Sequence, residues 1–184
     1  QQRVARVTCP TCNQPFQAPV QQVFDAGQDP SAMQRVINGA VNVARCPHCG
    51  QRGALSIPFL YHDSEKELVL VYMPMEMGGD REDREQQIGR LTRRVMDQLP
   101  AEQRKAYLLQ PEVFLTLDNL TKRILKEEGV TEEMLEEQKQ KVELLQRMAE
   151  AASDESLEAM IEANDDEIDE IFFYILTRNL EMVQ

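Results

Sequence analysis

The chain has 184 residues, of which 42% are hydrophobic, 5% aromatic and 28% charged, a composition typical of a soluble protein with one or two small domains. Its 20 basic and 32 acidic side chains give a formal net charge of −12, which excludes a broadly basic surface for nucleic acid. No apolar run is long enough to span a membrane, and residues 1–6 lack the apolar stretch of a secretory signal, so we expect a cytoplasmic protein that does not bind membranes.

The net charge is distributed unevenly along the chain. Residues 1–63 carry five basic and three acidic side chains, residues 64–150 carry 14 and 19, and residues 151–184 carry one and ten. The net charge therefore changes from +2 through −5 to −9. Well-solvated acidic helices explain this pattern most simply, and a basic partner for the acidic segment is the alternative.

All four cysteines lie in two Cys-x-x-Cys pairs, at residues 9–12 and 46–49. Thiols stay reduced in the cytoplasm, and four thiolates satisfy the tetrahedral preference of zinc. The pattern therefore predicts one zinc ion whose ligands are Cys9, Cys12, Cys46 and Cys49. Because all four positions are filled by the protein, none remains for water or substrate, and we expect the ion to be structural.

The residues around each pair predict two copies of one metal-binding knuckle. Pro10 and Pro47 follow the first cysteine of each pair and fix the backbone for a tight turn. Gly50 follows the second pair and can adopt the left-handed conformation that directs amide groups toward the sulfurs. Asn13 occupies the equivalent position after the first pair, and Asn enters that conformation more readily than most residues.

Iron is the alternative metal. The second pair with its glycine, Cys-Pro-x-Cys-Gly, resembles half of a rubredoxin site, which would imply electron transfer. The first pair lacks the equivalent glycine, and the sequence is poor in aromatic residues, so iron is less favoured than zinc.

Residues 1–77 show mainly the alternation of β-strands. The predicted strands are a short one at Val4 and Val7, one over 14–25 with a break before Val23, and two over 54–62 and 67–73 that form a hairpin. The first strand of that hairpin alternates and should bury one face, and the second is continuously apolar, which indicates a more central strand. A short helix is predicted between them, with Asp29 as N-cap and Gly39 after its end. A hairpin at Asn38-Gly39 is the alternative to that helix.

The period changes to that of helices after Gly78-Gly79, where we place a domain boundary. The predicted helices are one ended by Pro100, one stopped by Gly129, one capped by Thr131, one opened by Ser153, and one after a capping box at residues 164–167. The sequence thus predicts an α+β protein with a zinc-ribbon-like antiparallel β module at residues 1–77, followed by an acidic helical region at residues 78–184.

The apolar face of the last predicted helix extends to Val183 without a C-cap. Truncation of the chain is the simpler explanation for this ending. The alternative is that another copy of the chain or another protein covers the face, so we expect partners to bind through the helical region.

Several short motifs resemble the CpXC domain of bacteria and archaea. They are the two Cys-Pro-x-Cys pairs and residues 38–42, 61–63 and 71–74. The resemblance covers about residues 6–128. The family has no assigned function, so the resemblance implies metal ligands at Cys9, Cys12, Cys46 and Cys49 and no catalytic residue.

The sequence contains no pattern that indicates catalysis. His48 lies inside the second pair and is expected to face solvent, with substitution for a ligand as the less favoured alternative. His62 beside Asp63 is interpreted as part of a turn rather than as an oriented base. Gly78-Gly79 lacks the Lys-Ser or Lys-Thr of a phosphate loop. We therefore expect a protein that is not an enzyme.

Three other groups of residues have both a structural and a functional interpretation. The methionines alternate as on a strand and are interpreted as core or edge filling rather than a partner surface. The basic group is interpreted as a solvated face rather than an acid-binding one, and the acidic run as a helix start rather than a cation site. These groups are Met73, Met75 and Met77; Arg90, Arg93, Arg94, Arg104 and Lys105; and residues 165–170.

Two functional hypotheses follow from these patterns. The favoured one is a zinc-binding adaptor that binds another protein or a copy of itself. The alternative is a regulator that uses the slightly basic zinc module on nucleic acid. Rubredoxin-like electron transfer is third.

Overall fold

The computed structural model describes residues 2–78 and 80–182 and has an α+β fold. Its strands in the described part are β1 Gln2–Thr8, β2 Pro15–Gln21, β3 Val23–Asp25, β4 Val43–Arg45, β5 Arg52–Ala54, β6 Phe59–Asp63, β7 Leu68–Tyr72 and β8 Glu112–Phe114. Its α-helices there are α1 Ala32–Ile37, α2 Arg81–Gln98, α3 Leu117–Glu127, α4 Glu132–Ala149, α5 Asp154–Ala163 and α6 Glu170–Met182.

The chain divides into two compact units, Gln1–Glu128 and Gly129–Gln184. The predicted boundary after residue 77 differs from this division. Two helices that the sequence analysis assigned to the helical region, α2 and α3, pack on the sheet of the first unit. The change from strand to helix periodicity at residue 78 is thus a change of element within one unit.

Two short hairpins carry the cysteine pairs. The predicted strand at Val4 and Val7 forms β1, which pairs antiparallel with β2, and β4 pairs antiparallel with β5. The predicted break before Val23 is confirmed. At that point the chain leaves β2 and enters β3, which belongs to another sheet.

That second sheet has the strand order β3-β6-β7-β8. The predicted hairpin is confirmed as the antiparallel pair of β6 and β7, whereas β3 pairs parallel with β6 and β8 parallel with β7. The sheet is therefore mixed. Its strand β6 begins at Phe59 rather than at Ala54, because residues 52–54 pair with β4 instead.

Both faces of this sheet are covered by helices. Phe59 and Tyr61 lie on the face that packs against α1 and α3, and Leu60 lies on the opposite face, which packs against α2. All five residues of β6 are therefore buried, although the alternating sequence predicted burial of a single face. The continuous apolar run at β7, whose side chains also divide between the two faces, confirms the prediction of a central strand.

The short helix α1 is present, which excludes the hairpin at Asn38-Gly39. Its N-cap residue is Ser31, so the prediction of Asp29 was wrong. The Asp29 carboxylate instead accepts hydrogen bonds from the backbone N–H and the hydroxyl of Ser31, at 3.0 and 2.6 Å, in a turn before the helix. Gly39 has a φ of +64°, which is the left-handed conformation expected just after a helix.

The second unit contains α4, α5 and α6. Thr131 and Ser153 cap α4 and α5 as predicted, because each side chain accepts a hydrogen bond from a backbone N–H three residues on. The predicted capping box at residues 164–167 is wrong. Those residues form a 3-10 turn, and the carboxylate of Asp169 accepts from the N–H of Phe172 at the start of α6. Val183, which the analysis placed on the last apolar face, lies outside the described residues.

The packing of α3 on the sheet predicts the effect of a core truncation. Leu120 of α3 is fully buried, so Leu120→Ala should lower the free energy of unfolding of the first unit by about 2–5 kcal/mol. Leu109→Ala is the matched control, because Leu109 is 69% exposed and its truncation should change stability little. Urea unfolding followed by tyrosine fluorescence measures both. Equal effects of the two variants would contradict this placement of α3.

Candidate metal centre

Each cysteine pair forms the turn of one of the two short hairpins, which we call the knuckle hairpins: β1–β2 and β4–β5 with their turns. Cys9 follows the last residue of β1, and Cys46 follows the last residue of β4. After each turn the chain returns antiparallel to the strand it left. The ends of two hairpins thus meet at four thiols.

The two turns have the same backbone hydrogen bonds. In the first, the N–H of Asn13 donates to the carbonyl of Cys9 at 2.9 Å, and the N–H of Cys9 donates to the carbonyl of Gln14 at 3.0 Å. In the second, Gly50, Cys46 and Gln51 make the equivalent bonds at 2.9 and 2.8 Å.

The left-handed residue is also equivalent in the two turns. Asn13 has a φ of +56° and Gly50 a φ of +74°, as the sequence predicted. The two pairs are therefore copies of one knuckle.

The four thiols lie close enough to hold one metal ion. The Sγ atoms of Cys9 and Cys49 are 3.7 Å apart, as are those of Cys12 and Cys46. All four ligand atoms lie within 4.8 Å of one another. None of the four cysteines forms a disulfide. The predicted ligands Cys9, Cys12, Cys46 and Cys49 thus come together in one group.

This arrangement matches a tetrahedral thiolate site. A metal–sulfur distance of about 2.3 Å gives about 3.8 Å between sulfurs at the corners of a regular tetrahedron. The two measured 3.7 Å distances agree with that edge. The four cysteines could therefore hold one metal ion.

The electrostatic surroundings favour ionised sulfur at Cys9. Backbone N–H groups of Cys12 and Thr11 donate to its thiol and lower its pKa to about 6, against the opposing effect of desolvation. The N–H of Gln14 also acts to lower the pKa of Cys12, but desolvation and the three neighbouring thiols raise it to about 12. Without a cation, four adjacent thiols cannot all ionise, and a bound dication removes that conflict.

The centre lies at the surface of the first unit. Cys9 and Cys46 are buried, Cys12 is half-buried and Cys49 is exposed. The Nε–H of Arg45 donates to the carbonyl of Gly50 at 2.9 Å, which places a positive charge beside the second knuckle.

Other candidate residues lie apart from this group. His48 is exposed, as predicted. Met73 is buried and Met75 exposed, but residues 75–77 form a 3-10 turn rather than the predicted strand, and the side chain of Met77 is not described. Within the described part of the chain, the acidic run at residues 165–170 does not form a group that could hold a metal ion.

The predicted basic group is divided among separate partners. The Nε–H of Arg104 donates to the carbonyl of Leu99 at 3.0 Å, and Lys105 pairs with Glu67 at 2.6 Å. Arg94 instead donates to the side chain of Gln22.

His62 has a role that the sequence analysis missed. Its ring is fully buried, its Nδ1 lies 2.9 Å from the carboxylate of Asp25, and its Nε2 lies 2.9 Å from the hydroxyl of Tyr107. Parallel pairing of β3 with β6 places Asp25 directly beside His62. Asp63 does form a turn, because its carboxylate accepts from two backbone N–H groups, but His62 takes no part in it.

The buried side chains of Asp25 and His62 and the half-buried hydroxyl of Tyr107 satisfy one another's hydrogen bonds. Burial acts to raise the pKa of Asp25, but the hydrogen bonds that its carboxylate accepts from His62 and from two backbone N–H groups lower the pKa below the usual value of 3.8. A carboxylate at Asp25 accepts the Nδ1–H of His62, which leaves Nε2 to accept from Tyr107. Burial raises the pKa of Tyr107, as does the charge of Glu67, so its hydroxyl remains a donor.

Removal of the tyrosine hydroxyl tests this arrangement. Tyr107→Phe leaves Nε2 of the buried His62 without its donor and should lower the free energy of unfolding by about 1–3 kcal/mol. Tyr72→Phe is the control, because no described residue bonds to the hydroxyl of Tyr72, and it should have a small effect. Unfolding by urea at neutral pH measures both. Equal stability of the two variants would contradict the arrangement.

None of the described helices is long and apolar enough to cross a membrane. A comparison with curated proteins found no significant match, and neither did a comparison with solved structures. A family model described as "CpXC protein" matches residues 7–139, which include both cysteine pairs and all four strands of the mixed sheet. The chain therefore belongs to the CpXC family.

Proposed function

We propose that the four cysteines hold one structural Zn²⁺ ion and that the protein is an interaction module rather than an enzyme. The observation that carries the proposal is the group of four sulfurs, with two distances of 3.7 Å that match the edge of a zinc–thiolate tetrahedron. Such a site is coordinatively complete, so its ion contributes to folding and not to chemistry.

Zinc is favoured over iron by the surroundings of the site. Both metals accept four thiolates in a tetrahedron, so the sulfur positions alone do not separate them. The large buried aromatic rings of the first unit lie in the apolar cluster of the mixed sheet, which contains none of the four cysteines. These rings are Phe24, Phe59 and Tyr61. Cys49 is exposed to solvent. A thiolate site at the surface suits zinc, which has no redox chemistry.

The proposed ion cross-links hairpins that have little apolar core of their own, since Ala18 and Val20 of β2 are the apolar strand residues that are buried there. Neither of the two apolar clusters in the described part of the chain includes a residue of β1, β2, β4 or β5. Hairpins of this size are marginally stable by themselves in water. These clusters support a structural role for the ion at the hairpins rather than in the whole of residues 1–77.

The charges of the two units support a role in binding other proteins. Residues 1–128 carry 16 basic and 16 acidic side chains, and residues 129–184 carry four and 16. The second unit therefore carries the whole net charge of −12. On its helix α6, Ile171 is 49% exposed and Phe173 is 56% exposed. We propose that this acidic unit binds another protein or a second copy of the chain.

A role on nucleic acid is the second candidate. Arg3, Arg6, Arg45 and Arg52 lie on or next to the knuckle hairpins, and residues 1–24 and 38–62 contain no Asp or Glu. Such a surface attracts phosphate as well as carboxylate. Four arginines are fewer than the phosphate contacts of most sequence-specific binders, so this function is not favoured.

Metal analysis with a ligand variant tests the zinc proposal. We expect the purified, colourless protein to contain one zinc per chain and Cys46→Ser to lose it. Hydrogen exchange in residues 2–21 and 43–54 should then become fast, while β6 and β7 stay protected by the two apolar clusters. His48→Ala is the control, because His48 is exposed and is not among the four ligands.

Three outcomes would contradict the proposal. A red protein with stoichiometric iron would support electron transfer instead. Retention of zinc by Cys46→Ser would show that the four thiols are not the ligands. Loss of protection throughout the mixed sheet would show that the ion stabilises the whole first unit and not the hairpins alone.

A further inference from the structure

A groove runs along the outer edge of β1 in the first unit. Its volume is about 710 Å³, and its lining includes residues 3–8 on β1, residues 54–58, and Pro10 of the first knuckle. Successive side chains of a strand point to opposite faces. Consecutive residues of both segments line the groove, so it follows the edge of the strand. At one end it also reaches over a face of the sheet to Val20 of β2, which pairs with Arg3.

The main chain along this edge is available for hydrogen bonding. In the described chain β1 pairs with β2 alone, and every second residue of an antiparallel strand directs its N–H and C=O away from its partner. No described residue forms a hydrogen bond with the outward groups of residues 3–8. Such an unpaired row is a template for a further strand.

The groove is positively charged. Arg3 and Arg6 lie in its lining, and Glu76 is the acidic residue there. Neither arginine forms an ion pair or a hydrogen bond with a residue that the structure describes. The nearest strands and turns supply no compensating charge, because residues 1–24 and 38–62 lack Asp and Glu.

Further arginines lie beside Arg3. The guanidinium of Arg94 donates to the side chain of Gln22, which also lines the groove. Burial lowers the pKa of Arg94, and repulsion from the charges of Arg3 and Arg90 lowers it further. A carboxylate bound near Arg3 would relieve this repulsion.

The same charges oppose pairing between two copies of this edge. A second β1 strand in the groove would bring the arginines of both copies close together, and like charges on paired strands are destabilising. Negatively charged side chains on the incoming strand would instead form attractive cross-strand pairs with Arg3 and Arg6. The charge of the edge therefore selects an acidic strand.

We propose that the outer edge of β1 binds an extended acidic segment of a partner protein, which adds a third strand to the β1–β2 sheet. The proposal rests on the proposed function, because the metal centre holds β1 in place. Unlike the acidic second unit, this surface would bind by main-chain hydrogen bonds, with side-chain pairs that select the sequence.

The sequence of β1 predicts the partner's motif. Arg3 and Arg6 lie on opposite faces of the strand, three residues apart, with Val4 and Val7 as their apolar neighbours. A paired strand places one residue opposite each of these four. The predicted motif has five residues in the order acidic, apolar, any residue, acidic, apolar. A peptide strand parallel to β1 has the motif in this order, and an antiparallel strand has it in the reverse order.

Selection from a random library of linear peptides displayed on phage tests the proposal. The full-length protein is the bait, and its zinc content is measured on the same preparation. We expect the motif to be enriched when the bait is the natural protein or its Arg52→Glu variant. The enrichment should be lost when the bait is the Arg6→Glu variant. Arg52 is an exposed arginine of β5 outside the groove lining, so its substitution should not affect binding in the groove. Both variants replace an arginine with a glutamate, so they have the same change in charge.

An enriched peptide, made synthetically, locates the site. Its affinity should fall about tenfold for Arg6→Glu and change less than twofold for Arg52→Glu. Binding should slow hydrogen exchange at outward N–H groups of residues 3–8. A copy of the peptide that is N-methylated at the alternate residues whose N–H groups face β1 should not bind, because those residues can no longer donate main-chain hydrogen bonds to the strand.

The proposal is overturned by any of four results with the zinc-containing protein. The first is that no peptide is enriched, and the second is that the enriched peptides contain no acidic residues. The third is that the N-methylated peptide binds as tightly as the unmodified one, and the fourth is that the peptide slows hydrogen exchange only in residues outside β1. Tighter binding of a single-stranded oligonucleotide with the same Arg6→Glu dependence would also overturn it in favour of nucleic acid. A dimer whose β1 edge is protected without peptide would assign the groove to a second copy. Failure of the zinc proposal would appear separately, as a bait without zinc.

Discussion

The closeness of four thiols is the constraint on which the knuckle hairpins depend. Their Sγ atoms lie within 4.8 Å of one another, and ionised thiols at such distances repel strongly unless a cation lies between them. Strands β1, β2, β4 and β5 contribute nothing to the two apolar clusters of the described chain. In the proposed function, a dication bound to all four sulfurs supplies a cross-link between the two hairpins and positions the free edge of β1.

The rest of the first unit is stabilised differently. The mixed sheet is covered on one face by α1 and α3 and on the other by α2, so its two central strands bury both sets of side chains. His62 is buried in this sheet without an energetic penalty for lost hydration, because Asp25 and Tyr107 satisfy both of its ring nitrogens. The unit thus combines two hairpins that present the groove, and that we propose to depend on the metal, with a separate apolar core.

Features with local causes were predictable from the sequence. Two residues between cysteines determine the knuckle, and Asn13 and Gly50 indicated its left-handed position. Helix periodicity identified α2 and α3, but a buried face does not reveal what covers it, so the packing of these helices on the mixed sheet could not be predicted. The partners of His62 were missed for a related reason, since Asp25 and Tyr107 are distant in sequence and are brought to it only by the fold.

The central claim is that four sulfurs of this chain complete the coordination of one zinc ion. X-ray absorption at the zinc edge of the purified protein tests it most directly. The account predicts a single shell of four sulfur atoms at about 2.3 Å, with no oxygen or nitrogen ligand. A shell with three sulfurs and one lighter atom at about 2.0–2.1 Å would contradict it, because the site would then be open to solvent or to a histidine.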